Sequence, residues 1–491
     1  MMKKKSNNKI IFILAFFLLI ITISSITKVM QNDTFFTIAT GNEIIKNGYD
    51  NKDHLTWHDN LNFYKLRWAF DVVIATIFNN WGFTGIYVFV LIIGSITILS
   101  LYYILMKQEN SAVLSFMGAT LSAILMMTSW SFTARGQIIS YLLLLWEIFC
   151  LERLVETNQK RYYIFLFIIS VLIVNFHASV WMMTIILILP YMAEAILAKF
   201  IKKEERIKIK NINIKSLILA IAVLFIGSFL SPIGAYTYTY MFKTIGGLSS
   251  KFIAELQFSE ITQTAGLAIM ITIYAVLTLS TKTKIRLRDL LLFLGLFIMA
   301  ILARRNLAFL YLIGIIPIIN LIQEFFNTYD NDNLLSKFET FLSKKKTTII
   351  LGVIIFITIT PNIISRIKEN YIDKSQYPVD AVKYIKENLD YKNMRIYNHF
   401  NFGSYLELSE IKTFLDSRSE IYCKEFNDVQ ILQDWINVTR CVVHYSDIFN
   451  KYNIDYAIVY NEEAINTYLN KDDNCDKIYE DEYFSIYNVK K

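Results

Sequence analysis

Apolar runs separated by short polar segments recur from Ile10 almost to Ile364, and each approaches the length that spans a hydrocarbon core of about 30 Å. The pattern predicts eleven membrane-spanning helices, at roughly 10–28, 83–106, 112–130, 137–153, 162–176, 178–198, 216–231, 265–281, 289–303, 307–323 and 347–365. The runs near 162–198 form one apolar stretch interrupted by Asn175, Phe176 and His177, which reads as a tight turn. The Lys-rich start ahead of an apolar run has the outline of a signal peptide. No small-residue cleavage site follows Ile26, so this run reads as an uncleaved first helix. From 366 onward the pattern changes. Residues 378–388 predict an amphipathic helix with Pro378 in its first turn. Residues 395–397 and 412–415 predict short strands, and 454–460 a buried one. Neither an internal repeat nor a low-complexity linker is evident. The expectation is an α-helical polytopic membrane domain over 1–365, with a long first loop at 29–82, and a small α/β domain over 366–491.

Composition agrees with a membrane protein. Of 491 residues, 54% are hydrophobic and only 19% charged, against about 25% charged in soluble domains. A soluble globular enzyme, a disordered chain and a small disulfide scaffold are thereby excluded. The net charge of +7 is no nucleic-acid signal, because the basic residues sit in short segments between apolar runs. Lys3, Lys4, Lys5 and Lys9 precede the first run, and further clusters lie within 199–215, 282–288 and 337–346. Alternate loops thus hold the larger share of Lys and Arg, which places the N-terminus in the cytoplasm and the tail outside a multi-pass cell-membrane protein. The four cysteines are too few for a disulfide framework. Cys150 lies in an apolar run, and one pair among Cys423, Cys441 and Cys475 could be bridged in an extracytoplasmic tail.

On this map the unusual polar residues at membrane depth gather at the outer side. They are Asp33 after the first span, Arg135 and Gln137 between the third and fourth, Asn175 and His177, and Arg304, Arg305 and Asn306. Ionisable groups at membrane edges are costly unless paired or facing water. A carboxylate can serve as a general base, and guanidiniums suit bidentate phosphate binding, so the set would activate a hydroxyl beside a lipid-linked phosphate. Taken singly, Asp33 also reads as a helix cap, His177 as a turn residue, and Arg304 and Arg305 as headgroup anchors. Glu147, inside a span, is expected to pair with an inner Lys or Arg. In the first loop, 34–47 predicts a helix stopped by Gly48, and 67–79 a helix lying at the interface. Asp53, His54, His58 and Asp59 are metal-ligand types, but their spacing fits no defined site.

These residues resemble the GT-C glycosyltransferase superfamily, in which a first span is followed by an acid and a long outer loop with helices parallel to the membrane. The sequence is most similar to an uncharacterised bacterial and archaeal group near it. The shared patterns are Asp33-Thr34-Phe35-Phe36 with Ala39-Thr40-Gly41, Arg67-Trp68 with Asp71, Arg135-Gly136-Gln137, and Asn175-Phe176-His177. Ser231-Pro232-Ile233-Gly234, Arg304-Arg305-Asn306, Tyr377-Pro378-Val379, Asn401-Phe402-Gly403-Ser404-Tyr405 and Leu415-Asp416-Ser417-Arg418 follow. The resemblance implies sugar transfer on the outer face from a polyprenyl-phosphate donor to an envelope glycan, lipid or protein, with no nucleic-acid partner. It implies Asp33 as the acid that deprotonates or orients the acceptor. Our physical inference adds Arg135, His177, Arg304 and Arg305 at the phosphate, and Arg67, Gln137 and Asn175 toward the acceptor or loop. Better-known members often show a second adjacent acid, whereas Asn32 and Thr34 flank Asp33 here. The Pro usual after the outer Arg is replaced by Gly136. No cofactor is expected, and the missing acid argues against a divalent metal. The alternative reading is a non-catalytic transporter, flippase or assembly factor that holds a lipid phosphate.

Overall fold

The computed structural model describes residues 8–200, 206–244, 247–260 and 265–490. Lys3, Lys4 and Lys5 of the N-terminal cluster, and Lys202 and Lys203 of the later one, lie outside the described residues. Every one of the eleven apolar runs carries helix. In chain order the helices are α1 (Asn8–Ser25), α2 (Asn32–Asn47), α3 (Trp68–Lys107), α4 (Ala112–Thr128), α5 (Gln137–Thr157), α6 (Arg161–His177), α7 (Met182–Leu197) and α8 (Ile214–Ser228). The short α9 (Tyr236–Thr244) and α10 (Leu248–Phe252) follow. They lead to α11 (Ala265–Ser280), α12 (Leu287–Leu302), α13 (Leu307–Leu312), α14 (Ile315–Tyr329), α15 (Leu334–Leu342) and α16 (Lys345–Lys368). Among the described residues, five helical segments are long and apolar enough to cross a membrane: Asn8–Ser25, Trp68–Lys107, Arg161–Val180, Arg304–Tyr329 and Lys345–Lys368. Large apolar side chains such as Phe12, Ile92, Ile164, Phe356 and Ile357 stand exposed on their outer faces. In water these would be a liability; against lipid tails they cost nothing.

Two local departures from the expected pattern have physical causes. The helix α6 runs through Asn175 to His177, and the chain turns over Ala178–Val180. Asn175 does not break the helix because its Nδ2 donates to the Val171 carbonyl four residues back (2.8 Å). The segment after Arg67 is helical as expected but does not simply lie at the interface. Phe70, Ile74 and Ala75 are fully buried, and α3 packs on α2 there. Gly41 makes this approach possible: a Cβ would sit 2.1 Å from the Asp71 carbonyl oxygen. Gly82, at φ 60°, ends the packed portion, and the spanning portion of α3 begins beyond it.

The tail carries a four-stranded sheet. With β1 (Ile207–Lys208) and β2 (Ile285–Arg286) forming a short parallel pair elsewhere, its strands are β3 (Ile396–Tyr397), β4 (Tyr456–Tyr460), β5 (Cys475–Glu480) and β6 (Phe484–Val489). Their order is β3-β4-β6-β5, parallel at β3–β4 and antiparallel beyond. The expected helix and two of the three expected strands are present. Residues 412–415 instead leave the sheet: Thr413 bridges Thr56 of the first loop. That loop is built into the tail. Trp57 Nε1 donates to the Ile396 carbonyl (3.1 Å), and Phe36, Leu61 and Phe63 enter the tail's apolar core. His58 packs there too, hydrogen-bonding the Phe414 carbonyl at 2.7 Å, and burial lowers its pKa to about 4. All four cysteines are free.

Candidate functional site

One end of the bundle, the first loop and the tail border a cavity of about 840 Å³. Asp33 reaches it from the first turn of α2, where the helix dipole favours a negative charge. Arg135 reaches it from the loop between α4 and α5. Their side chains meet at 2.9 Å. Gly136 allows this turn to sit against Arg67: a Cβ would lie 2.9 Å from the Arg67 side chain and from the Phe176 carbonyl oxygen. Burial works against ionisation of Asp33, but Arg135 and Arg67, with a hydrogen bond from Ser417, hold its carboxyl below the usual range. Burial likewise opposes the charge on Arg135, and Asp33 and Glu255 override it. Both groups are therefore charged at neutral pH.

Glu255 was not anticipated. It stands on a single helical turn, Ala254–Leu256, in the segment between α10 and α11. Its two oxygens accept from Nη1 (2.8 Å) and Nη2 (3.1 Å) of Arg135. That is an end-on, bidentate geometry which a phosphate could also adopt. No hydrophobic period marks the segment, so only its acidity could have drawn notice. Ser417 and Glu420 of the tail and Asp71 of α3 also border the cavity. Burial raises the Glu420 carboxyl above its usual range despite the nearby Arg67.

Of the other expected residues, Arg67, Gln137, His177 and Arg305 all line the same cavity. Arg67 stacks on the Phe36 ring at 4.4 Å, and neither Arg67 nor Arg305 forms an ion pair among the described residues. His177 is buried, its Nδ1 3.0 Å from the Ser140 hydroxyl. Arg304 and Asn175 are not brought there. Arg304 turns to the Phe258 carbonyl (3.3 Å) and Glu260 (3.3 Å). Asn175 accepts from Trp68 Nε1 (2.8 Å) and donates to Leu230 (2.8 Å), bracing the loop. Asn306 donates to the Met299 carbonyl at 3.0 Å. The ligand-like residues of the first loop do not converge either. Asp53 binds Arg418 at 2.7 Å and His54 binds Asp50 at 2.6 Å. Among the described residues no group of three His, Cys, Asp or Glu gathers to hold a metal. Among the described residues Glu147 meets no Lys or Arg: both its oxygens are buried without a hydrogen bond. It lies too far along α5 from the basic end, whose arginines pair with Glu152 and Glu194 instead.

No protein-family profile matches this chain, and no curated protein matches it. Among solved structures it is similar to the oligosaccharyltransferase of Archaeoglobus fulgidus, crystallised with an acceptor peptide containing an NVT sequon tethered by a disulfide bond. The TM-score is 0.59 at 11% identity, over 93% of this chain and 70% of that one. Despite the low identity, the likeness runs through bundle and tail alike. The chain therefore shares its overall fold with an archaeal oligosaccharyltransferase.

Proposed function

We propose that this protein is a membrane glycosyltransferase that moves a sugar from a polyprenyl-phosphate carrier to a cell-envelope acceptor at the outer end of the bundle. The observation that carries the reading is the meeting of ionised Asp33 with Arg135, Arg67 and Arg305 around one polar cavity. The fold shared with an oligosaccharyltransferase supports it. In the reaction the acceptor's lone pair forms a bond to the sugar's anomeric carbon. The bond from that carbon to the phosphate oxygen breaks, and its electron pair leaves with the phosphate. The open guanidiniums of Arg67 and Arg305 would stabilise the departing charge in a partly desolvated site. Asp33, with its depressed carboxyl, is a weak proton acceptor but a strong hydrogen-bond acceptor. It would orient the acceptor group and pass its proton on to water.

A divalent cation does not fit the residues present, because Asp33 Oδ2 already pairs with the Arg135 guanidinium and, among the described residues, no three His, Cys, Asp or Glu gather around it. We therefore derive no step through one. The second reading, a non-catalytic holder of lipid phosphate, is favoured by one observation: both Nη groups of Arg135 are already engaged by Asp33 and Glu255. Mass spectrometry of envelope glycans separates the two. A glycan mass should disappear on deletion of this protein, return with the unaltered chain, and stay absent with Asp33→Asn at equal membrane levels. Restoration by Asp33→Asn would remove the mechanism, and unchanged glycans on deletion would favour the second reading.

A further inference from the structure

At the opposite end of the bundle the chain closes a second cavity, of about 360 Å³. It is bordered by the ends of α3 and α5, the β1–β2 pair, the start of α12 and the later part of α14. Its lining holds seven Lys and Arg against five Asp and Glu.

Most of these charges staple helices together. Arg286 bridges Glu152 (2.5 Å) and Glu194 (3.0 Å), Arg288 reaches Glu152 (2.9 Å), and Lys210 joins Glu152 at 2.9 Å. Glu324 is taken by Lys208 at 2.6 Å, and Glu156 by Arg153 at 2.9 Å. Asp289 lies 2.9 Å from Arg288, and what remains is mostly cationic. Lys107 and Lys284 border the cavity with no carboxylate partner among the described residues. Buried donors on two neighbours, Arg288 Nε and Gln108 Nε2, lack an acceptor among the described residues. Stapling needs none of these four groups. A surplus of cations beside orphaned N–H donors calls for a ligand that is negative and only accepts hydrogen bonds.

We propose that this second cavity binds a phosphate group, supplied either by an anionic phospholipid headgroup or by free phosphate. Basic pockets between spanning helices recognise such headgroups elsewhere. The site is independent of the sugar-transfer reading, since it shares no residue with the large cavity.

The test uses the purified full chain in detergent, titrated with inorganic phosphate in one arm and short-chain phosphatidylglycerol in the other. Binding is read by thermal stabilisation and native mass spectrometry. Lys107→Gln with Lys284→Gln should weaken binding at least about tenfold, the loss of one charge-assisted hydrogen bond. Lys160→Gln with Lys337→Gln, an equal charge change at exposed lysines outside the cavity, should leave it intact. Loss in the phosphate arm identifies free phosphate as the source; loss confined to the phosphatidylglycerol arm identifies the headgroup. Binding of neither probe, unchanged binding in the cavity variant, or equal loss in the control would overturn the proposal.

Discussion

Arg135 serves two carboxylates at once, and the two are not equivalent. Asp33 is largely buried at the start of a helix, whereas the Glu255 side chain is half exposed on a short turn. A phosphate approaching Arg135 therefore competes with Glu255 first. Glu255→Ala should tighten binding of a polyprenyl phosphate by about tenfold, as expected when a charge-assisted competitor is removed; equilibrium binding in detergent measures it. Arg135→Ala should instead destabilise the protein by about 2 kcal/mol, because it leaves the Asp33 carboxylate uncompensated. The pH dependence follows from the direction of the Asp33 shift. Its folded pKa lies below the unfolded value of about 3.9, so the stability it contributes is complete above that value. It is lost only as pH falls through the depressed folded pKa. Glu463 behaves oppositely. Burial raises it to about 7 and lowers its neighbour His399 to about 4, so a neutral imidazole faces the acid at 3.2 Å. Ionising Glu463 in the fold is costly, so its own contribution to stability should decline as pH rises from the ordinary glutamate range through about 7. His399 and His58, both lowered to about 4, contribute the opposite trend below the ordinary histidine value. The stability of Glu463→Gln relative to the unaltered chain, read by thermal unfolding, should therefore grow as pH rises across that range.

At the scale of elements, one buried guanidinium adds a charged clamp between the first loop and the tail. Arg418, almost fully buried, binds Asp416 (2.5 Å), Glu407 (2.8 Å) and Asp53 (2.7 Å), and lies over the Phe63 ring at 4.6 Å. Removing it would strand three buried carboxylates. Arg418→Ala should thus cost about 3–5 kcal/mol, and limited proteolysis should cut within 48–67 before any spanning helix. Asp53→Asn, which keeps a hydrogen-bond acceptor, should be milder. This clamp also marks the limit of what the sequence discloses. Long apolar runs announce their helices because lipid demands them, and Asp33, Arg135, His177 and Arg305 are conspicuous because charge at a membrane edge is costly. Asp416-Ser417-Arg418 was visible as a motif, yet its partner Asp53 lies 365 residues away from Arg418, and nothing local points to it. Glu255 and Glu420 were hidden as well: in a polar segment an acid has no background to stand against. The lysines and arginines at the opposite end of the bundle were legible only as topology markers. Their pairing with Glu152 and Glu194 depends on which helix ends meet, a tertiary fact.

For the molecule as a whole, the large cavity is a seam rather than a pit in the bundle. Its walls come from α2, the Arg135 loop, the segment around α10, and the tail, so access depends on how these parts separate. The segment is tied to the tail. The Leu248 amide donates to Glu425 (3.1 Å), Phe252 packs edge-on to Trp435 (ring centroids 5.5 Å apart), and the Ser249 hydroxyl lies 3.4 Å from Cys423 Sγ. It also carries Glu255 to Arg135. If the carrier phosphate must displace Glu255, the segment has to lift away from the tail for each turnover. The free thiol of Cys423 offers a way to forbid that movement. Ser249→Cys places a second sulfur at contact distance, within reach of a disulfide provided the backbone allows the required dihedral. Oxidised Ser249→Cys should bind polyprenyl phosphate poorly and transfer no sugar, and a reductant should restore both. The unaltered chain, with Cys423 free, should ignore the reductant. Full transfer by the oxidised variant, with the cross-link verified by mass spectrometry, would mean that the donor enters without moving this segment. Arg67 and Arg305, open to the cavity already, would then hold the phosphate without Arg135.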